Sequence, residues 1–316
     1  MDNLTIITEF LLMNISNSRE LQVLQGLLFL VIYLGAVAGN LVTITVIVRD
    51  AHLHFPMYFF IGNLSLIDFG YITVTVPKSV VNFLTGSKLI SLKECATQTF
   101  LYIFFGSSEL FILVVMAYDR YVAICHPLHY GITMTSCLCT KLAGGSWTSG
   151  LVYSAMHTGT LFRFPFTESN VIHQYFCDVS QIMNISSRTV QFSESVALGV
   201  SACIVLLCFV ILLTSYAKIF STVLHMHSVE AQNKALSTCS PQLATFILFS
   251  FSGLFAILGP VTNASTIPAL LTAMFYSMVP PFVNPIIFSL RNREIKNALG
   301  RMFNTSFHLS KRVFVV

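Results

Sequence analysis

The sequence has few charged residues. Only 9% of its 316 residues are Asp, Glu, Lys or Arg, whereas these four types make up about 25% of a typical soluble chain. A water-facing surface needs charge to stay soluble, so the deficit argues against a soluble enzyme. Intrinsic disorder requires low hydrophobicity, and it is excluded because 55% of this chain is hydrophobic. We therefore expect most of the surface to face lipid.

Several chemical signatures are missing as well. None of the eight cysteines forms a CxxC pair, and no histidine belongs to an HExxH motif. Cys125, His126 and His129 lack a fourth ligand at a zinc-site spacing, so we interpret them as loop residues. The net charge of +4 is not concentrated in one tract, so nucleic-acid binding has little support. No internal repeat is visible, which weakens a transporter interpretation.

Seven long apolar stretches are present instead. A membrane-spanning helix needs about 20 mostly apolar residues. The stretches run Leu21–Val48, Met57–Leu84, Cys95–Ile124, Leu138–Phe162, Ser195–Leu224, Lys234–Leu258 and Ile267–Leu290. They are too long for barrel strands and do not alternate apolar with polar residues. We therefore predict one domain of the all-α membrane class. It comprises an extracellular tail (1–20), a seven-transmembrane helix bundle (21–290), and a short cytoplasmic helix and tail (291–316).

The basic residues near the span ends predict the orientation. Of the 17 Lys and Arg residues, 6 fall on the side of the N-terminus and the other 11 on the opposite side. Because basic residues collect in the cytoplasm, we expect a multi-pass plasma membrane protein with its N-terminus outside and its C-terminus inside. Glycosylation sequons at Asn3 and Asn14 then lie in the outer tail and are expected to be modified.

Two cysteines fall in the oxidising compartment under this orientation. Cys95 begins the third span at its outer end, and Cys177 lies in the long outer loop between the fourth and fifth spans. Disulfides form and persist in such compartments. We therefore predict a bridge between these two cysteines, which would hold the long loop across the bundle.

Two carboxylates, Asp68 and Glu109, lie deep within the second and third spans. A charge at membrane depth is costly and is usually functional. Two facing carboxylates can share a proton or bind a cation, and Asn40, Ser65 and Asn284 are polar neighbours in other parts of the spans. The alternative is a hydrogen-bonded packing cluster without an ion.

A charged tripeptide, Asp119-Arg120-Tyr121, ends the third span on its inner side. Arg120 can pair with Asp119 at the membrane boundary and be released when the bundle opens. The alternative is a simple interfacial anchor, since charged and aromatic residues are enriched there.

Taken together, the motifs resemble those of the odorant receptors among the rhodopsin-like G protein-coupled receptors. The blocks that carry the resemblance are Met116-Ala-Tyr-Asp-Arg-Tyr-Val-Ala-Ile-Cys-His-Pro-Leu-His-Tyr130, Leu53-His-Phe-Pro-Met-Tyr-Phe-Phe60, Lys234-Ala-Leu-Ser-Thr-Cys-Ser240, Asn284-Pro-Ile-Ile-Phe-Ser-Leu-Arg-Asn292 and Gly39-Asn40. A lone Asp-Arg-Tyr would be weak evidence, but the ordered set at these span positions is specific. The resemblance covers almost the whole chain.

The resemblance implies a non-enzymatic receptor and its partners. A small volatile odorant would bind among the outer halves of the helices and favour a state with an open inner face. That face would activate a heterotrimeric, stimulatory olfactory G protein and raise cAMP. Asp68 and Glu109 would match the family's sodium site, with no other cofactor. The residues that would belong to the G-protein switch are Asp119, Arg120, Tyr121, Tyr216, Asn284 and Pro285.

Candidate ligand-binding residues follow from helical spacing, which places residues three and four apart on one face. The candidates are Tyr102, Ile103, Gly106 and Ser107 in the third span, Val200, Ser201 and Ile204 in the fifth, Ser250, Gly253, Leu254 and Ile257 in the sixth, and Met274 and Ser277 in the seventh. They predict a mostly apolar pocket with a few hydroxyl groups, as is usual for small-molecule sites. For each residue the alternative is helix packing.

Three departures from the family pattern bear on signalling more than on fold. Phe288 stands where the last-span motif usually has Tyr, so a hydroxyl group is missing from the inner network. Thr167 and Ser187 stand near the positions of two further loop cysteines. In the sixth span, Ser250 replaces a common Tyr and Gln242 a common His.

Two other classes of function compete with a receptor. A transporter or channel is suggested by Asp68 and Glu109, but few other charges line the spans. An intramembrane enzyme is suggested only by His157 with nearby serines, and no GxSxG motif accompanies it.

Overall fold

The computed structural model describes residues 7–13, 18–166, 169–226, 228–258 and 267–302. Its helices are α1 (Arg19–Arg49), α2 (Pro56–Thr85), α3 (Leu92–Cys125), α4 (Tyr130–Thr133), α5 (Ser136–Leu161), α6 (Val179–Asn184), α7 (Arg188–Leu224), α8 (Val229–Leu258), α9 (Ile267–Arg291) and α10 (293–302). The seven long helices α1, α2, α3, α5, α7, α8 and α9 form the predicted bundle, and α10 follows it. We call the end of the bundle that carries Cys95 outer and the end that carries Arg120 inner.

Local signals in the sequence fix several helix ends. Ser91 begins α3 with a capping box, in which its hydroxyl accepts from the Glu94 N–H at 3.3 Å and the Glu94 carboxylate accepts from the Ser91 N–H at 3.0 Å. Thr135 caps α5 through its side chain alone, which accepts from the Leu138 N–H at 3.3 Å. Gly86 ends α2 with a positive φ of 77°, a conformation that favours glycine.

Six of the seven long helices are long and apolar enough to cross a membrane within the part of the chain that the structure describes. The exception is α5, because its sequence is rich in Ser, Thr and Gly, which lower its mean hydropathy. Its length and its place in the bundle still match the fourth predicted span.

The predicted bounds differ most at the start of α7. The helix begins at Arg188 rather than at Ser195, where the apolar stretch begins. The added turns contain Glu194, which precedes the predicted span Ser195–Leu224 and is therefore assigned to the outer loop by the sequence. That assignment is wrong, because Glu194 lies inside the helix and is fully buried.

A small three-stranded sheet, which the sequence did not predict, covers part of the outer face. Its strands are β1 (Glu9–Leu12), β2 (Leu89–Ser91) and β3 (Val171–Ile172), in the order β2-β1-β3. The first pair is antiparallel and the second is parallel. The segment before α1 is therefore the central strand, and it joins the α2–α3 connection to the long outer loop.

The buried core has three main parts. An inner part lies between α2, α3, α5 and α9, and includes Leu64, Ile112 and Phe288. An outer part packs α1, α2 and α9 against the loop residues Tyr175 and Phe176. The third part lies beneath the sheet and surrounds the Cys95–Cys177 bridge.

The predicted glycosylation sites Asn3 and Asn14 lie outside the described residues. Thr167, near the position of a further loop cysteine in the family, also lies outside them.

Candidate functional site

The outer loop is attached to α3 by the predicted disulfide. Cys95 and Cys177 are bonded, with their Cα atoms 5.5 Å apart and both side chains fully buried. The Cys177 N–H donates to Gln98 Oε1 at 2.8 Å, and the Thr99 hydroxyl donates to the Cys177 carbonyl at 3.4 Å. These contacts fix the loop over the outer end of the bundle.

Two loop aromatics next to this bridge form a roof over the bundle. The Tyr175 hydroxyl and Ser277 Oγ of α9 form a hydrogen bond of 2.6 Å. The Phe176 ring lies 5.5 Å from the Tyr102 ring of α3 and 6.1 Å from the Tyr276 ring of α9, measured between centroids. Sequence reasoning missed these residues, although an aromatic pair beside the loop cysteine was visible.

The α3 candidates lie below this roof and are partly buried. Tyr102 packs against Tyr71 of α2, with ring centroids 5.2 Å apart. A Cβ on Gly106 would lie 3.5 Å from the Tyr71 ring. The Ser107 hydroxyl donates to the Ile103 carbonyl at 2.7 Å, within its own helix. The structure therefore groups Tyr102 and Gly106 around Tyr71.

The α7 candidates do not face this region. Val200 and Ile204 expose 58% and 41% of their surface on the outside of the bundle. Ser201 is buried, but it bonds to His157 of α5. Val200 and Ile204 therefore do not face inward as predicted, because α7 is apolar around most of its circumference and spacing alone cannot identify its inward face.

Among the described side chains, the α8 candidates do not contact the loop aromatics, whereas the α9 candidates do. Leu254 is 51% exposed, and the Ser250 hydroxyl bonds to the Phe246 carbonyl at 2.7 Å. Gly253 has no atom within 4 Å of a Cβ placed on it. The side chain of Ile257 lies outside the described part.

The α9 candidate Met274 packs in the outer core together with Tyr175 and Phe176, and Ser277 bonds to Tyr175.

A buried polar centre lies in the middle of the bundle. Asn284 Nδ2 donates to Asp68 Oδ2 at 3.0 Å, and Glu109 of α3 is near enough to interact electrostatically with Asp68. Asp68 Oδ1, Glu109 Oε1, Asn284 Oδ1 and Ser65 Oγ have no hydrogen-bond partner among the described residues. Asn40, the other predicted neighbour, instead donates to the Pro281 carbonyl at 2.9 Å.

This set of oxygen atoms fits a hard cation. Sodium and similar ions prefer carboxylate, amide and hydroxyl oxygens, and four such atoms are buried here without partners. Within the described ranges, no three or more His, Cys, Asp or Glu side chains come together to hold a metal ion.

At the inner end of α3, Arg120 and Asp119 form a buried ion pair. Arg120 Nε donates to Asp119 Oδ2 at 2.9 Å, and Arg120 Nη2 donates to the same oxygen at 2.5 Å. Tyr130 of α4 donates its hydroxyl to Asp119 Oδ1 at 2.8 Å. The Tyr130 phenol has a raised pKa, caused first by its burial and then by the neighbouring Asp119 carboxylate.

Other predicted switch residues surround this pair. Tyr121 contacts His126 through a hydroxyl–Nε2 distance of 3.1 Å, and the Lys218 ammonium lies 5.5 Å above the Tyr121 ring. Tyr216 of α7 stacks on Phe246 of α8 with centroids 6.5 Å apart. Its buried hydroxyl has no hydrogen-bond partner in the described ranges, so it is available to a new partner if the inner helices move.

The inner half of α9 packs tightly against α1. A Cβ on Gly39 would lie 3.0 Å from Pro285 Cγ, so glycine permits the close approach of the two helices. Phe288 is 1% exposed and lies in the inner core. It replaces the hydroxyl of the usual Tyr with apolar contacts.

A second buried polar group connects α5 and α7. His157 Nδ1 lies 2.5 Å from Glu194 Oε1, and His157 Nε2 lies 3.0 Å from Ser201 Oγ. The Ser201 hydroxyl also bonds to the Ala197 carbonyl at 2.8 Å. All three side chains are at most 4% exposed. The order Ser–His–Glu matches that of a hydrolase, but Ser201 is buried in a helix–helix contact, so we interpret the group as a structural connection.

Comparisons with known proteins agree with this geometry. The sequence model of the family described as "Olfactory receptor" matches residues 29–306. Olfactory receptor 14I1 of Homo sapiens is 51% identical over 311 residues, covering 98% of this chain and 100% of that protein. Olfactory receptor 14A2 of Homo sapiens is 42% identical, with 97% and 98% covered. The crystal structure of squid rhodopsin superposes with a TM-score of 0.69 at 17% identity, covering 92% of this chain and 87% of that one, which shows a shared fold.

Proposed function

Because this chain belongs to the olfactory receptor family, we propose that it is an odorant receptor that binds a small volatile molecule and activates a stimulatory olfactory G protein, raising cAMP. The observation that carries the proposal is the Asp119–Arg120 pair, buried at the inner end of a seven-helix bundle whose α3 also carries the disulfide and the polar centre. One helix thus connects the outer loop, the core and the inner face.

The proposed ligand region lies in the outer half, below the loop roof. Tyr102, Met274 and Ser277 line it together with Tyr175 and Phe176, and these side chains supply aromatic faces, a thioether and hydroxyl groups. Small-molecule sites usually combine such apolar surfaces with a few polar groups that set orientation. The chemistry supports an apolar odorant with one hydrogen-bonding group.

The proposed response is a shift between two states of the bundle. A ligand shifts such an equilibrium only by its different affinity for the two states. In the state described here, Arg120 is held by Asp119, and Tyr130 supports Asp119. In the active state, Arg120 would leave Asp119 and Tyr216 would gain a polar partner, opening the inner face to the G protein.

We extend the proposal to a sodium ion at the polar centre. Asp68 and Glu109 would hold it, with Ser65 and Asn284 as neutral oxygen ligands. When bound, the ion would supply positive charge to the two buried carboxylates, and this would stabilise the present packing of α2, α3 and α9. The four oxygens without partners support this assignment.

The proposed orientation places the N-terminus outside and the C-terminus in the cytoplasm. The basic residues and the disulfide support it, since Cys95 and Cys177 need an oxidising compartment. Asn3 and Asn14 would then be glycosylated at the cell surface.

The experiment that tests the function is reconstitution. Purified receptor in lipid nanodiscs is mixed with purified olfactory G protein, and guanine nucleotide exchange is measured across an odorant panel. We expect at least one odorant to accelerate exchange in a saturable manner, with no effect on nanodiscs that lack the receptor. Saturable odorant binding without any acceleration of exchange would contradict the proposal.

A further inference from the structure

A small cavity lies between the outer loop and the outer ends of α8 and α9. Its walls include Gln174, Asp178 and Gln181 from the loop and α6, Phe255 from α8, and Tyr276 from α9. The cavity has a volume of about 20 Å³, which is room for one group the size of a water molecule. It lies apart from the Asp68 centre, and none of its wall residues was among the predicted ligand residues.

Two buried acceptors, the Asp178 carboxylate and the Gln174 amide oxygen, belong to the walls of this cavity. Asp178 is 6% exposed; the Ser180 hydroxyl donates to its carboxylate, and the Tyr276 phenol lies near enough to interact with it electrostatically. Gln174 is 5% exposed; its Nε2 donates to the Ala269 carbonyl at 3.2 Å, whereas its Oε1 has no hydrogen-bond partner in the described parts of the chain. No Lys or Arg of the described ranges forms an ion pair with Asp178. The cavity therefore offers a buried carboxylate and a buried amide oxygen to a donor.

We propose that this cavity binds the ammonium group of a small primary aliphatic amine. An ammonium group is about the size of a water molecule, carries positive charge and has three N–H donors. It would donate to the Asp178 carboxylate and to Gln174 Oε1, and its alkyl chain would lie against Phe255 and Ala256. An alcohol of the same length has one donor and no charge, so it satisfies the site less well. The inference rests on the proposed ligand-binding function and adds a ligand class and a location.

The charge state of Asp178 makes this binding depend on pH. Burial of the carboxyl is the largest cause of its pKa being raised above the ordinary value of 3.8, and the hydroxyls of Ser180 and Tyr276 act in the opposite direction. The titratable groups that face it are the phenols of Tyr102, Tyr175 and Tyr276, which are neutral near pH 7 because their ordinary pKa is about 10. A bound ammonium favours the ionised carboxylate. Amine affinity therefore falls as the pH falls through the pKa of Asp178.

The test uses the purified full-length receptor in lipid nanodiscs without G protein. The melting temperature is measured near pH 7 against increasing n-butylamine or n-butanol. We expect butylamine to raise it in a saturable manner and butanol to leave it unchanged. Asp178→Asn should weaken the apparent butylamine affinity at least about tenfold, because a charge-assisted hydrogen bond is lost. Glu9→Gln, which changes an exposed carboxylate on the same face, should have no effect.

A second measurement needs no variant and applies if Asp178→Asn does not fold. The butylamine affinity of the wild type is followed as the pH is lowered from about 7 to about 4, where the amine stays fully protonated, and we expect it to decrease as the Asp178 carboxylate takes up a proton. Equal stabilisation by butanol, unchanged affinity in Asp178→Asn, or a pH-independent affinity would each overturn the proposal. Because no G protein is present, these results are independent of signalling, so the odorant-receptor proposal can fail or hold separately.

Discussion

The buried carboxylates of this receptor differ in how each is stabilised. Asp119 accepts from Arg120 and Tyr130, Glu194 contacts His157, and Asp68 accepts from Asn284. A carboxylate within a membrane is costly unless it has such partners. Their positions in the spans made Asp68 and Asp119 visible in the sequence. Glu194 was missed because it precedes the apolar stretch and therefore looked like a loop residue.

Removing Glu194 should destabilise the outer half of the bundle. Glu194→Ala leaves the buried His157 without its partner on α7, and we expect a loss of about 2 to 5 kcal/mol in the free energy of unfolding. Thermal unfolding of the purified receptor checks this. Glu20→Ala, which changes an exposed glutamate, is the control. Equal unfolding temperatures for the two variants would mean that the contact with His157 contributes nothing to stability.

The Cys95–Cys177 bridge should be required for export. Its sulfur atoms lie in the buried outer core, so Cys95→Ser loses a covalent connection and leaves a thiol and a hydroxyl buried there. We expect surface staining of intact cells to fall to background. Cys203→Ser, at an exposed free cysteine, should retain normal staining. Normal staining of Cys95→Ser would show that the bridge is dispensable for folding.

At the scale of elements, the positions of the helices in the sequence could be predicted, whereas the short strands and the inward faces of the helices could not. Long apolar runs identify membrane helices because the hydrocarbon core fixes their length, and the spans ended within a few residues of the helices except at Arg188. The sheet escaped prediction because its strands β2 and β3 have only three and two residues. The inward faces of α7 and α8 escaped because lipid and protein interior are both apolar, as the exposed Val200 and Leu254 show.

The C-terminal helix α10 forms an ion pair with Asp50, the residue that follows the last turn of α1. Arg301 Nε and Nη2 donate to Asp50 Oδ2 at 2.9 and 2.6 Å. The hydrogen bond with Arg301 is the largest cause of the Asp50 pKa being lowered to about 2. A lowered pKa means that the stabilisation is complete above the ordinary value of 3.8 and is lost as the pH falls through about 2.

We therefore expect the attachment of α10 to be independent of pH between about 5 and 8, and to depend on Arg301. Arg301→Ala should increase amide hydrogen exchange in residues 293–302 several-fold while α9 stays protected. Lys296→Ala, at an exposed position of the same helix, should change little. Unaltered exchange in Arg301→Ala would show that packing of Ile295 and Ala298 alone holds the helix.

At the scale of the molecule, α3 and α9 connect the regions that the proposed mechanism uses. Ser277 contacts the loop roof, Asn284 contacts Asp68, and the adjacent Pro285 packs against Gly39. A ligand that displaces the roof would thus act on a helix that also reaches the polar centre. The depth of Asp68 and Glu109 in the spans made the centre predictable, and the Asp119-Arg120-Tyr121 tripeptide did the same for the inner pair. The roof could not be derived, because it depends on how the loop folds back over the bundle.

A sodium ion at the polar centre should oppose activation. It would hold α2, α3 and α9 together through Asp68, Glu109 and Asn284, so we expect Na⁺ to weaken agonist affinity by about three- to tenfold relative to K⁺ at equal ionic strength. Ligand binding to receptor nanodiscs, without G protein, measures this. Asp68→Asn should abolish the difference between the two ions. An identical agonist affinity in Na⁺ and K⁺ for the wild type would contradict sodium binding at the polar centre.

The central claim is that odorant binding reaches the G protein through Arg120. The most direct measurement is odorant-stimulated cAMP in cells that express wild type or Arg120→Ala at matched surface levels, with Arg49→Ala, an exposed arginine at the inner end of α1, as the control. We predict that Arg120→Ala loses at least about 90% of the response, as expected for a loss of more than about 1.4 kcal/mol of coupling, while Arg49→Ala signals normally. A full response from Arg120→Ala would contradict the account.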